Sequence, residues 1–485
     1  MTRQGLCLDA TQAPVNILDR LEGLSKVVPP EVMEQALSET GMSGQRSCKL
    51  SHRVMLWIVL AMGLLTHLPI RQVFKHARRM RPNEKTPSRS NLCEARQRLG
   101  VEPVRRVFEL VVHPLATPET PGAFYKGYRL MGIDGTVMDV PDSPANEERF
   151  GRSSGGRGDA AFPQIRKLSL VELGTHVETA LAIGGYHDSE QKLVVQLFDK
   201  IPDDALLLED RNFFSYDHWK ELDSRGVKLL VRIKSTMILK PIERLPDGSC
   251  LAKIYPSSYD RDKDRKGIVV RVIEYTLDDP LRTGHGETHR LLTNLLDHMM
   301  FPAMELICLY HERWEEEQVY DEQKTHQDPR RPTKPAHFRS QTPEGVEQEI
   351  YALSLAHFVV RALMLEAAKQ ENQDADRLSF TGCFQILQGR LPECQSSTPT
   401  ELEQWYRLLL EEMAQERTEP RRNRINPRVV KRKMSKFAKK RPAHRGQPTR
   451  KHSVNPWLRV VTRLPLFGCD EPSSTEPRWI VATTG

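Results

Sequence analysis

The stretch YRLMGIDGTVMDV, residues 128–140, decides how the chain is read. Its apolar, β-favouring residues predict a strand, and that strand is interrupted at Asp134 beside Gly135. A carboxylate inside an apolar strand is costly unless it opens into a cleft or meets a cation. Metal binding would remove that cost, so Asp134 is a candidate ligand.

Working outward, residues 166–173 and 177–184 predict a hairpin turning at Gly174 and Thr175, and 190–201 a helix. Residues 205–209 form a short apolar strand ending at Asp210, followed by a helix over 215–225 and a strand over 227–233. Three antiparallel strands and then alternating helices and parallel strands imply an α/β fold, a mixed sheet with helices on both faces. Residues 236–290 break the alternation with turns around strand-like runs such as KGIVVRVIEYTL and read as a β-rich insertion. One long helix is expected over 302–327, and a second over 344–370 after a Pro-rich loop.

Upstream, residues 29–115 read as helical. Within them IRQVFKHARRM and RSNLCEARQRLG, separated by RPNEKTPS, could form a helix-turn-helix whose second helix lays Arg89, Arg96 and Arg98 on DNA. An ordinary helical hairpin with a solvated basic face is the alternative. The resulting division is an N-terminal helical, candidate DNA-binding domain (1–120), a first part of the core (121–235), the insertion (236–290), a second part of the core (291–370), a helical region (371–415) and a basic, loosely ordered tail (416–485).

Composition narrows the class. The net charge of +7 is uneven, since residues 421–451 hold 14 Lys or Arg and no acid, leaving 57 basic against 64 acidic side chains elsewhere. A cationic segment on a mildly acidic body points to a polyanion, with nucleic acid the leading candidate. Eight scattered cysteines without a Cys-x2-Cys pair argue against structural zinc and a disulfide framework, and fit a reducing cytoplasm. The start, MTRQGLCLDATQAP, lacks a secretory apolar core. The longest apolar run, residues 54–65, would reach only about 18 Å as a helix, so no membrane span is expected. A glycine-rich loop, FGRSSGGRGDAAFP (150–163), carries Arg152 and Arg157, which could meet phosphate; a plain flexible loop is the simpler reading, because no phosphate-loop pattern follows.

The richest segment is YHERWEEEQVYDEQK, residues 310–324. On a continuous helix, offsets of three, seven and fourteen positions are near-whole numbers of turns, so Arg313, Glu317 and Lys324 return to the face that holds Tyr310. Glu315 and Glu316, five and six positions along, fall off that face. A carboxylate flanked by cations and an aromatic can bind metal while its neighbours hold the phosphates of a passing strand, and Trp314 beside it could stack on a base. Asp134, Asp210 and Glu317 together suit two Mg2+ ions about 4 Å apart, with Mn2+ able to substitute, for in-line displacement at a phosphodiester.

The ordered set GIDGT, LLLEDRNFF and Tyr-x2-Arg-x3-Glu-x6-Lys resembles the signature of insertion-sequence-type-4 DDE transposases, and the last motif fits without a gap. The long interval from Asp210 to Glu317 is similar to that family's, in which a β-rich insertion interrupts a ribonuclease-H-like core. The stretch at 338–361 and the basic PRVVKRKMSKFAKKRP also resemble its later region. One departure is Asn212, where the commoner pattern has Gly.

The resemblance implies cut-and-paste movement of a DNA element by a homodimer that bridges two terminal inverted repeats and inserts them into target DNA, in the cytoplasm and associated with the nucleoid when DNA-bound. It assigns Asp134, Asp210 and Glu317 as catalytic metal ligands, Arg313 and Lys324 as phosphate holders, Tyr310 as a DNA contact and Trp314 as a stacking partner. Two alternatives remain: a catalytically inactive or repurposed DNA-binding protein, and a nuclease lacking strand transfer.

Overall fold

The computed structural model describes residues 21–43, 49–77, 85–155, 158–278, 286–313, 315–329, 334–394, 398–419 and 458–460. Five strands build the centre: β1 (Tyr128–Asp139), β2 (Gln164–Glu172), β3 (Val177–Gly185), β4 (Ala205–Glu209) and β5 (Lys228–Ile233). Their spatial order is 3-2-1-4-5; β1, β2 and β3 are antiparallel neighbours, and β1, β4 and β5 run parallel. This is the mixed sheet expected from the sequence.

The insertion contributes β6 (Pro241–Arg244), β7 (Cys250–Ile254), β8 (Ile268–Leu277) and β9 (Thr288–Thr293). It continues the central sheet instead of standing beside it: β9 pairs antiparallel with β5, and β8, β7 and β6 follow outward. The boundary expected at residue 290 therefore falls inside a strand. A short strand at Leu458–Val460 pairs with β8, so the C-terminal region expected to be loosely ordered returns to the sheet there.

Alternation sorts the strand residues onto two faces. Met131, Ile133, Leu207, Leu229 and Val231 pack on one side with Leu193, Leu197 and Trp219. Leu130, Leu206, Leu208, Leu230 and Leu291 pack on the other with Leu306, Ile307, Tyr310 and Val319.

The N-terminal helices do not form a separate core. His52–Leu64 and the 28-residue helix Pro343–Gln370 are joined in one hydrophobic cluster, together with helices Phe380–Arg390 and Pro399–Met413. Contact is backbone-close at Gly63, where an added Cβ would lie 2.0 Å from the Ala352 carbonyl oxygen. Pro343–Gln370 is apolar and long enough to cross a membrane by composition, but 83% of its most apolar window is buried inside the protein.

Two helical expectations change. The stretch over 302–327 is not one α-helix: Ala303–Glu312 ends at Arg313, Glu315–Asp321 follows, and Glu322–Gln327 is π-helical. The wider turn lets closely spaced polar side chains reach buried partners on different elements. Glu322 meets His357 and Arg361, Gln323 meets Lys167 and Glu178, and Gln327 donates to the carbonyls of Gly63 and Leu353.

The second change is Arg96, which is 9% exposed and cannot contact DNA. Its guanidinium donates to Gln348 Oε1 at 2.7 Å and Ser340 Oγ at 2.9 Å, and pairs with Glu349. Arg89 and Arg98 on the same helix are exposed, whereas part of the intervening turn lies outside the described residues.

Candidate active site

The level at which the parallel pairing of β1 and β4 ends gathers the candidate residues, although β1 itself runs unbroken through Asp134 to Asp139. Ile133 is registered opposite Glu209 and Glu209 opposite Val231, so Asp134, Asp210 and Arg232 follow at one level across β1, β4 and β5. By alternation from Leu130, Leu208 and Leu230, all three point to the face covered by Ala303–Glu312 and Val319. Glu209, the acidic neighbour of Asp210, takes the opposite face. There its Oε1 lies 3.5 Å from His218 Nε2, and burial pushes Glu209 up to about 8 and His218 down to about 4.

Asp134 is only partly exposed, and the Gly135 N–H donates to its Oδ1 at 2.8 Å. Burial pushes its carboxyl up to about 6; the Gly135 bond and Arg313 oppose that rise, while the charges of Glu317 and Glu190 add to it. Glu317 therefore lies within electrostatic reach of Asp134, on an exposed helical position. The Asp210 charge acts in turn on Tyr310, as do those of Arg313 and Arg232.

Other members of the 310–324 motif separate. Tyr310 was expected to touch DNA, but it is 5% exposed and its hydroxyl donates to the Glu209 carbonyl at 3.3 Å. It packs in the layer between helix and sheet because its ring completes that apolar cluster. Arg313 stands at the helix break, its guanidinium carbon 5.9 Å from the centre of the Tyr310 ring. Lys324 reaches β1 just beyond Asp134, donating to Thr136 Oγ1 at 2.9 Å and the Val137 carbonyl at 3.1 Å. The side chain of Trp314 lies outside the described residues.

The glycine-rich loop also differs from expectation. Arg152 is held by Asp142 and Glu147 and donates to the Ala160 and Ala161 carbonyls, so it clasps the loop and its charge is already compensated. Arg157 lies outside the described residues. Two residues the sequence reading passed over belong to the site's surroundings. Tyr320 donates its hydroxyl to the Asp134 carbonyl, and Arg232 stands level with the two aspartates. The signal for Arg232 was a cation inside the apolar run of the strand KLLVRI.

Three carboxylates are hard oxygen donors of the kind divalent cations prefer, and the burial-raised Asp134, facing further negative charge, gains from a nearby cation. The fit is one of donor type and placement. Among the described residues, no three His, Cys, Asp or Glu side chains are gathered closely enough to enclose an ion.

Comparison with known proteins identifies the family. Residues 18–109 match the family described as insertion element 4 transposase N-terminal, and 125–359 the transposase DDE domain. The chain is 30% identical over 438 residues to the transposase InsG for insertion sequence element IS4 of Escherichia coli (strain K12), covering 89% of this chain and 97% of that protein. It is 25% identical over 223 residues to the putative transposase InsZ of the same organism, covering 45% of this chain and 73% of that one. A solved piggyBac transposase synaptic complex with hairpin DNA covers 82% of this chain and 87% of its own, but at 11% identity and a TM-score of 0.41 the likeness carries no weight. The full-length relative and the two successive domain matches settle the family: the chain belongs to the insertion-element-4 group of DDE transposases, ribonuclease-H-like enzymes that use divalent metal ions to cleave DNA and transfer its strands.

Proposed function

We propose that Asp134, Asp210 and Glu317 are the catalytic carboxylates and hold two Mg2+ ions, for which Mn2+ can substitute. One observation carries this reading: the two aspartates stand at one level where the parallel pairing of β1 and β4 ends, Asp134 within β1 and Asp210 just past β4, on the sheet face beside the Glu317 helix. Bound divalent ions would supply Lewis-acid stabilisation and lower the pKa of the attacking water or hydroxyl. The protein's own residues do the positioning. Arg313, whose charge acts on Asp134, holds a phosphate of the scissile strand; Lys324 fixes β1 next to Asp134 and lies within reach of the backbone beyond; Trp314 is assigned to stacking on a displaced base.

In the first step water attacks phosphorus in line, and the bond to the 3′ oxygen at the element end breaks. The freed 3′-hydroxyl then attacks a phosphodiester of the target, and a second 3′ oxygen leaves. Two copies of the chain bridge the paired terminal inverted repeats, in the cytoplasm and on the nucleoid.

The test is cleavage of a terminal-repeat duplex by Asp134→Asn, Asp210→Asn and Glu317→Gln proteins, with DNA affinity measured alongside. Loss of cleavage with retained binding is expected, and persistent cleavage by Glu317→Gln overturns the assignment. Joined products distinguish a transposase from a nuclease lacking strand transfer. Absence of cleavage by the unaltered chain would mark an inactive copy, and light scattering of the DNA complex reads the dimer.

A further inference from the structure

The strand β5 carries a cation that the motif does not contain. Arg232 follows Val231, which is registered opposite Glu209, so it sits beside Asp210 and shares its face of the sheet. It is partly exposed, and its charge acts on Tyr310 together with those of Asp210 and Arg313. Among the described residues no carboxylate pairs with it. Its side-chain partner is His289 of β9, with Nη2 3.0 Å from Nδ1. A guanidinium can only donate, so Nδ1 of His289 accepts and the ring is neutral, with its proton on Nε2. The His289 ring in turn lies 5.3 Å from that of Tyr275 on β8, within the insertion.

Most partly buried arginines here are compensated by acids, as Arg129 is by Glu172 and Arg290 by Glu274. Arg232 is instead oriented by a neutral acceptor, which fixes its direction and leaves its charge unspent. An oriented and uncompensated cation beside a metal-ligand carboxylate suits a phosphate oxygen. We propose that Arg232 contacts a non-bridging oxygen of the scissile phosphate, and that His289 is the positioning residue that aims it. The insertion thereby supplies part of the active site through β9. This rests on the carboxylate reading above for where the scissile phosphate lies.

The test is a thermodynamic cycle in binding, independent of turnover. Affinity for a terminal-repeat duplex is measured in Ca2+, with the scissile position either a phosphodiester or a neutral methylphosphonate. The unaltered protein is expected to lose roughly tenfold in affinity when the charge is removed. Arg232→Gln should bind the phosphodiester roughly tenfold more weakly and show no further loss with the methylphosphonate. His289→Gln keeps an acceptor and should retain the coupling, whereas His289→Leu should lose it.

Equal sensitivity to the methylphosphonate in the unaltered and Arg232→Gln proteins overturns the proposal, because a structural arginine weakens both duplexes alike. Retained coupling in His289→Leu overturns the positioning role. A scan of the methylphosphonate along the strand separates the two readings. Coupling to Arg232 at a position other than the cleaved one refutes the scissile contact while leaving the carboxylate assignment to its own cleavage test.

Discussion

Two regions of this protein treat their carboxylates in opposite ways. Where the parallel pairing of β1 and β4 ends, burial raises Asp134 to about 6, and the adjacent charges of Glu317 and Glu190 add to the rise that the Gly135 N–H and Arg313 oppose. On the helical segment that follows Glu317, burial also acts to raise Glu322, but the Arg361 guanidinium and His357 overcome it and bring the carboxyl down to about 2. Asp328 is treated likewise: Lys334, His337 and the Phe338 N–H offset its burial, and it too falls to about 2. Glu178 and Glu349 are similarly enclosed, by Lys167 and by Arg339 with Arg96. These fold-holding acids are enclosed by cations from the chain, whereas at Asp134 the charge of Arg313 only partly offsets burial and the neighbouring acids.

The sharpest way to break that contrast is to neutralise one acid from each region. Asp134→Asn should remove about a thousandfold of cleavage rate without lowering the urea midpoint, which at neutral pH should rise because a buried charge is removed. Glu322→Gln should do the reverse in kind, destabilising the fold by about 3–5 kcal/mol because Arg361 and His357 are left buried around a neutral side chain. If Asp134→Asn unfolded the chain as readily as Glu322→Gln, the distinction would fail.

The pH dependence sharpens it next, because the two groups have opposite signs. Glu322 has a folded pKa below its ordinary 4.5, so its contribution is present above that value and is lost as pH falls towards about 2. Asp134 is raised above its ordinary 3.8, so its contribution is present below 3.8 and is lost as pH rises through about 6. In metal-free protein, denaturation midpoints should therefore show a decline between pH 4 and about 6 that Asp134→Asn makes shallower, while Glu209, raised to about 8, supplies a share that remains. Carboxyl titration followed by NMR should place Asp134 near 6, and added Mg2+ should move that titration downward.

Smaller effects test the supports. Tyr320→Phe removes the hydrogen bond to the Asp134 carbonyl and should cost about 1 kcal/mol of stability with a modest fall in cleavage rate. Smallest is the basic helix. Arg98→Gln should reduce the salt slope of DNA affinity by roughly one, and Arg96→Gln should alter stability instead of that slope.

The strands were legible because their signal is local. Alternation and apolar runs over residues 128–140 and 205–209 depend on neighbours in sequence, and so did the positions of Asp134 and Asp210. What depended on distant residues was not legible. Arg96 reads as a surface cation on its own helix, and only Gln348 and Glu349, far along the chain, make it a buried one. The 310–324 stretch pointed to Glu317, and Lys324 does reach the strand that bears Asp134. The route was different, since the helix breaks at Arg313 and widens after Asp321, so a constant helical turn does not hold through the motif. Arg232 escaped notice because its meaning lies in strand register, which no single strand reveals.

The shared core of N-terminal and C-terminal helices also sets a timetable. Gly63 presses against Ala352, and everything between them must be synthesised before the two can meet. At about 5–20 residues per second, the apolar surface of His52–Leu64 waits about 15–60 s for the segment that covers it. A nascent transposase of this design is incomplete at its beginning until its end is made, and a message truncated before Pro343–Gln370 yields an exposed hydrophobic helix instead of a free DNA-binding module.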